Sequence, residues 1–323
     1  QQPMPTLCLS EYVPNDVFKK YDRWISQDKK WISCADKIHT IPEFLQRQFW
    51  ERLYVERLMD KTALFEQWLS LSKNNWESVF FVALAKGFGL KQNGLAFAHM
   101  ALTIPWKAVL NNTLNAEELE ALFFGQLNLF DKTVEHAYFE KQYKTYLYLQ
   151  HKYKLNPITE SLKFFRLRPA NFPTIRLSQL AWLTAKTPRL LSHIQAAKSL
   201  DELYVLMQSK TTFFWETHYQ FHTPAKKQQR KLTKSFIQLL LLNTVFPFLF
   251  QYYKYTADKR VDQILDWVHQ LPAEKNNYSM NFKQLGCKIE DALESQASIQ
   301  LKTNYCNQRR CLSCTFGHRL LNL

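Results

Sequence analysis

Asn74-Asn75-Trp76-Glu77-Ser78-Val79-Phe80-Phe81-Val82-Ala83-Leu84-Ala85-Lys86 is the stretch from which the fold is read. Asn74-Asn75 breaks a helical run that covers 62–86 and offers a side-chain oxygen to cap its second half, Trp76–Lys86. Gly87 and Gly89 are then expected to stop that helix. Upstream, Ile41-Pro42-Glu43 opens another helix. Phe44, Leu45, Phe49, Leu53 and Leu58 recur in it at three-to-four spacing until about Lys61, and Arg52 and Glu56 form an i,i+4 pair on its flank.

Downstream the same rhythm predicts helices over Asn93–Met100, Trp106–Asn111, Ala116–Leu127, 132–153, Ser178–Lys186, Pro188–Ala197, Asp201–Gln208, Asp258–Gln270 and Asn281–Thr303. Asn115 is the expected cap of the third, with Glu117, Glu118 and Glu120 near the positive end of its dipole. Ser235–Tyr255 is the most apolar run, but Gln238, Asn243 and Pro247 interrupt it, so it reads as a buried central helix kinked at Pro247 and not as a transmembrane segment. Residues 1–13 alternate weakly around Leu7 and Leu9, as a short strand does, and read as the end of a module that begins upstream.

Composition agrees with helices. The 323 residues are 46% hydrophobic and 15% aromatic, which excludes disorder, and only 6 Gly and 12 Pro argue against a turn-dense sandwich or barrel. The expected fold is mainly α: an irregular multi-helix domain with a short N-terminal strand and a C-terminal cysteine-rich tail. Its parts are a strand-like remnant over 1–13, a helical domain over 14–304 and the tail over 305–323.

Lys and Arg number 42 against 28 Asp and Glu, a formal charge of +14, which favours DNA, RNA or an anionic membrane surface as partner. Two segments concentrate that charge. Phe165-Arg-Leu-Arg-Pro-Ala-Asn-Phe-Pro-Thr-Ile-Arg176 is expected to be held extended by Pro169 and Pro173, presenting Arg166, Arg168 and Arg176 around Asn171. Such arginines fork onto phosphates, or else cap helix ends while Asn171 satisfies buried backbone. The segment 222–234 carries Lys226, Lys227, Arg230, Lys231 and Lys234 without an acid, and its run 226–234 reads as a solvated helix start or a phosphate-tracking patch.

Cys306, Cys311 and Cys314 stand in a C-x4-C-x2-C cluster that can hold one metal centre, zinc or an iron–sulfur cluster. Three sulfurs leave a tetrahedral site one ligand short. Candidates for the fourth are His318, Cys287, Cys34 and Cys8, with Cys287 read as a buried mid-helix thiol. Few cysteines, three of them at metal spacing, point to a reducing, cytoplasmic setting. No Gly-rich phosphate loop, H-E-x-x-H or nucleophile elbow is present. His218 and His222, at i,i+4, are expected on a helix surface, and no catalytic constellation emerges.

Five segments together resemble a bacterial family catalogued as domain of unknown function 2851. They are Trp50-Glu-Arg-Leu-Tyr-Val-Glu-Arg-Leu58, Asn75–Leu90, Arg168-Pro-Ala-Asn-Phe-Pro-Thr-Ile-Arg176, Ser295-Gln296 and Cys306–Gly317. The resemblance implies a preceding nuclease-type α/β module of the PD-(D/E)XK kind, whose motifs this chain lacks. It promotes Cys34 to fourth ligand beside Cys306, Cys311 and Cys314. It weakens His318, because the family usually shows Ile-Gly-Asn where this chain has Phe316-Gly-His318. The expected function is therefore a nucleic-acid-binding helical region of a nuclease-like protein with a structural metal staple. The alternative is a non-catalytic scaffold or protein-interaction domain.

Overall fold

The computed structural model of the chain describes residues 8, 12, 15–26, 30–110, 115–130 and 136–321. The strand expected over 1–13 lies outside the described residues, apart from Cys8 and Tyr12. In chain order the helices are α1 (Asn15–Ile25), α2 (Glu43–Leu71), α3 (Trp76–Phe88), α4 (Leu90–Thr103), α5 (Trp106–Val109), α6 (Ala116–Gln126), α7 (Ala137–Tyr153), α8 (Pro173–Lys186), α9 (Leu190–Ala196) and α10 (Leu200–Leu206). A small hairpin follows, β1 (His218–Gln220) antiparallel to β2 (Thr223–Pro224). Then come α11 (Lys234–Leu240), α12 (Phe246–Tyr255), α13 (Val261–His269), α14 (Asn277–Gln284), α15 (Ala292–Gln300) and α16 (Thr315–Leu321). The fold is mainly α, as composition and periodicity predict.

The chain divides into two compact units, one formed by Gln1–Asp60 with Val268–Leu323 and the other by Lys61–Trp267. In the first, α2 contributes Phe49, Trp50, Leu53 and Tyr54 to a core closed by Phe282 and Phe316. In the second, α3 packs on α4, and α6 packs on α7 and α8. Phe80, Phe88, Phe97, Phe123, Phe124, Trp215, Phe246 and Phe248 are fully buried there. Each such ring stabilises the fold by roughly 1.5–3 kcal/mol relative to exposure.

The caps are where local chemistry places them. Asn75 Oδ1 accepts from Ser78 N, and Asn115 forms a capping box with Glu118. Gly87 does not stop α3, which runs on to Phe88. A Cβ at Gly87 would lie 2.6 Å from Thr244 Oγ1, so this glycine serves close helix packing and not termination.

Several expected helices are re-cut. Pro173 begins α8 at its first turn, where its fixed φ fits and its missing N–H costs nothing, so Pro173–Arg176 is helical and not extended. The apolar run Lys234–Tyr255 is long and apolar enough to cross a membrane by length and composition alone, with 72% of its most apolar window buried. Its irregularity is a π-turn over Leu241–Val245, just before Pro247, which absorbs the hydrogen bond that proline cannot donate. Asn281–Thr303 is not one helix either. Gly286 adopts φ 89° and Asp291 caps a new start, so Cys287 sits buried in the intervening loop and not mid-helix. His218 and His222 belong to the hairpin region, so they share no helix face.

Candidate functional site

The basic segments separate into exposed and buried parts. Arg166 and Arg168 are exposed, and Arg166 takes φ 61° with its guanidinium over the exposed Phe165 ring. Lys226, Lys227, Lys231 and Lys234 are exposed as well. Arg176 and Arg230 are not; they are only 6% and 8% accessible.

The reason lies in a short ladder. Lys210 and Lys231 form an antiparallel bridge, with Thr211 N donating to Arg230 O at 3.2 Å and Leu232 N donating to Ser209 O at 2.9 Å. In extended backbone successive side chains alternate faces, so Arg230 and Leu232 turn inward while Lys231 turns out. The run 226–234 is therefore not a helix start: the helix begins only at Lys234, capped by the Thr233 hydroxyl.

This ladder builds one wall of a groove of about 710 Å³ lined by Trp182, Lys186, Tyr204, Lys210, Lys231 and Lys234, among others, with Asp201 as its acidic side chain. Lys210 Nζ lies 5.3 Å from the Trp182 ring centre, and Lys234 Nζ 5.2 Å from that of Tyr204. Lys186 Nζ donates to the carbonyls of Val205 and Gln208, both at 3.3 Å. Lys210 and Lys231 are like charges held directly opposite each other, an arrangement that costs stability unless an anion lies between them. Trp182, Lys186, Tyr204 and Lys210 had no distinguishing pattern in the sequence. They reach the predicted Lys231 and Lys234 only through the Lys210–Lys231 pairing.

A different polar centre occupies the core of the same unit. Glu120, expected to serve the dipole of α6, is completely buried. Its carboxylate accepts from Tyr138 Oη at 2.6 Å, Trp215 Nε1 at 2.8 Å and Thr212 Oγ1 at 2.8 Å, and also bonds Ser178. Burial pushes its pKa up, while these donors pull the other way. With its donors matched, Glu120 is a structural node joining α6, α7 and α8.

In the first unit the cysteines converge. None of the six is in a disulfide. The Cys34 thiol is pushed well up first by burial and then by the charges of Cys314, Cys311 and Cys287. Cys306 is raised by burial and then by Cys34 and Cys314, and less by Cys311. Burial alone pushes Cys287 up to about 12, and it is the main cause of a rise to about 11 at Cys314. Five sulfurs, those of Cys34, Cys287, Cys306, Cys311 and Cys314, separated by up to 280 residues, thus share one neighbourhood.

The surrounding packing fixes that neighbourhood. Lys302 Nζ donates to Trp31 O at 2.8 Å, Tyr21 Oη to Arg309 O at 3.3 Å, and Phe316 stacks edge-on against Phe49 and Trp50. Gly317 is required because the Cys311 carbonyl oxygen would lie 2.2 Å from a Cβ there. His318 is exposed on α16. As the side chains stand, no three His, Cys, Asp or Glu groups among the described residues are arranged to ligate a metal ion.

Residues 1–277 match the sequence profile of a family described as a protein of unknown function, DUF2851, and the chain belongs to that family. No curated protein and no solved structure matches it.

Proposed function

We propose that the Lys61–Trp267 unit binds nucleic acid along the Trp182–Lys234 groove. The observation that carries this reading is the groove itself, where four lysines and two aromatic rings line about 710 Å³. Lysines track phosphates, and the Trp182 and Tyr204 rings hold Lys210 and Lys234 over them at the groove. Exposed Arg166, Arg168, Lys226 and Lys227 extend the positive surface of the same unit. The contiguous basic groove argues against a scaffold whose charge is incidental. The burial of most of Lys234–Tyr255 argues against membrane association through that segment. The nuclease-like character and cytoplasmic setting implied earlier belong to the same proposal, and a strand-nicking assay addresses the first.

The test is salt. Single-stranded DNA or RNA should bind at low ionic strength, with log K falling against log salt at a slope near −3, about 0.7 for each of four lysines engaged. No binding at low salt, or binding indifferent to salt, overturns the reading.

The same proposal assigns a structural staple, one zinc ion or an iron–sulfur cluster, to Cys34, Cys306, Cys311 and Cys314. Its support is the shared neighbourhood of the four thiols, whose sulfurs would have to rearrange to close the site. Bound metal would need these thiols deprotonated, against the rise that burial imposes. Elemental analysis with a visible absorption spectrum on anaerobically purified protein should find about one centre per chain, lowered alike by Cys34→Ser and Cys306→Ser. Metal content unaffected by Cys34→Ser would move the fourth ligand to Cys287 or His318.

A further inference from the structure

Arg176 and Arg230 line one small cavity of about 160 Å³, together with Gln179, Tyr219, Lys231 and Thr233 among its walls. Every partner these two guanidinium groups have is neutral. Arg176 Nη1 donates to Gln179 Oε1 at 2.8 Å and Nη2 to Asn171 Oδ1 at 2.5 Å, and the group lies 3.4 Å over the Phe236 ring. Arg230 Nε donates to Trp215 O at 2.6 Å and Nη1 to Tyr219 Oη at 2.9 Å, with the Tyr219 ring 3.8 Å away. The Nε–H of Arg176 is buried with no acceptor. Among the described residues no carboxylate pairs with either arginine.

Two buried cations lining one cavity, with an orphaned donor and no counter-charge, are costly to the fold as they stand. Burial pushes Arg176 down to about 9, and nothing charged opposes it. Since a water occupies about 30 Å³ of liquid, the cavity has room for a group of several heavy atoms. Exposed Lys231 stands in its wall and adds a third positive charge.

We propose that this cavity is a binding site for a phosphoryl oxyanion, with Arg176 and Arg230 as its principal ligands. The anion supplies the counter-charge and meets guanidinium edges that donate in planar, bidentate fashion. Its source is either free phosphate or the terminal phosphate of a nucleotide chain. The site shares Lys231 with the groove, but its two arginines lie outside the groove and the proposal does not depend on the groove reading.

The test titrates the full chain with inorganic phosphate, then with a 5′-phosphorylated and a 5′-hydroxyl dinucleotide, by calorimetry and by phosphorus NMR. Saturable binding of inorganic phosphate, weakened about tenfold or more in Arg176→Lys, supports the site. Arg230→Lys gives a second, independent reading, and circular dichroism shows that each variant folds. Preference for the 5′-phosphorylated over the 5′-hydroxyl dinucleotide identifies a terminal phosphate as the source; equal weakness of both alongside phosphate binding identifies free phosphate. Phosphate that binds while long 5′-hydroxyl oligonucleotides do not sinks the groove reading and keeps this one. Absence of saturable phosphate binding to the unaltered chain, or unchanged affinity in both variants, overturns the proposal.

Discussion

Inside the Lys61–Trp267 unit, Glu120 and Arg176 are both ionisable side chains removed from water, yet they are handled in opposite ways. Glu120 meets Tyr138, Trp215, Thr212 and Ser178, a donor set matched to a carboxylate. Arg176 meets two amide oxygens and a ring, and keeps an N–H without an acceptor. The difference teaches that burial alone does not separate structure from function. A satisfied charge is part of the scaffold, whereas an unbalanced one marks a place where something else belongs. A third class, the groove lysines, keeps contact with water, and its cost to the fold is confined to the like-charged Lys210–Lys231 pair.

The comparison breaks most visibly at Glu120. Glu120→Ala should cost about 3 kcal/mol or more in urea unfolding, because it strands buried donors at about 1–3 kcal/mol each. A loss below about 1 kcal/mol would mean that these donors find water or new partners. The combined Lys210→Ala, Lys231→Ala and Lys234→Ala variant should leave stability within about 1 kcal/mol, since these are surface changes. In binding experiments it should reduce the salt slope by about 0.7 per lysine, or roughly 2 in all. Equal loss of folding and binding would collapse the distinction between groove and core. The smallest effect is expected at Arg176→Met in phosphate-free buffer. An apolar side chain of similar size should keep stability within about 1 kcal/mol, since the buried charge it removes lacks a counter-ion. A large loss there would place Arg176 with Glu120 as a scaffold residue.

Much of the local structure was readable from single residues. Asn75 and Asn115 cap helices because their short side chains reach the first free amides, which is a property of a few consecutive positions. The C-x4-C-x2-C spacing of the tail was equally plain. Long-range effects were not. Gly87 looked like a stop and is a packing contact for Thr244, 157 residues on. Arg230 and Lys231 are neighbours in a uniformly basic run, and nothing local says that one is buried and the other exposed.

What the sequence by itself determined is the helical class, some helix starts, among them Glu43, Trp76, Trp106 and Ala116, and the inventory of chemistry: cysteines at metal spacing, a basic surplus and a proline-marked arginine segment. Helix propensity, capping and periodicity act over a few residues, so they are written in consecutive positions. The tertiary structure alone decided which cations are surface and which are interior, by pairing the Lys210 segment with the Lys231 segment and setting the alternation of faces. It also brought Cys34 to Cys306, Cys311 and Cys314, since burial and proximity come from contacts that chain distance does not encode.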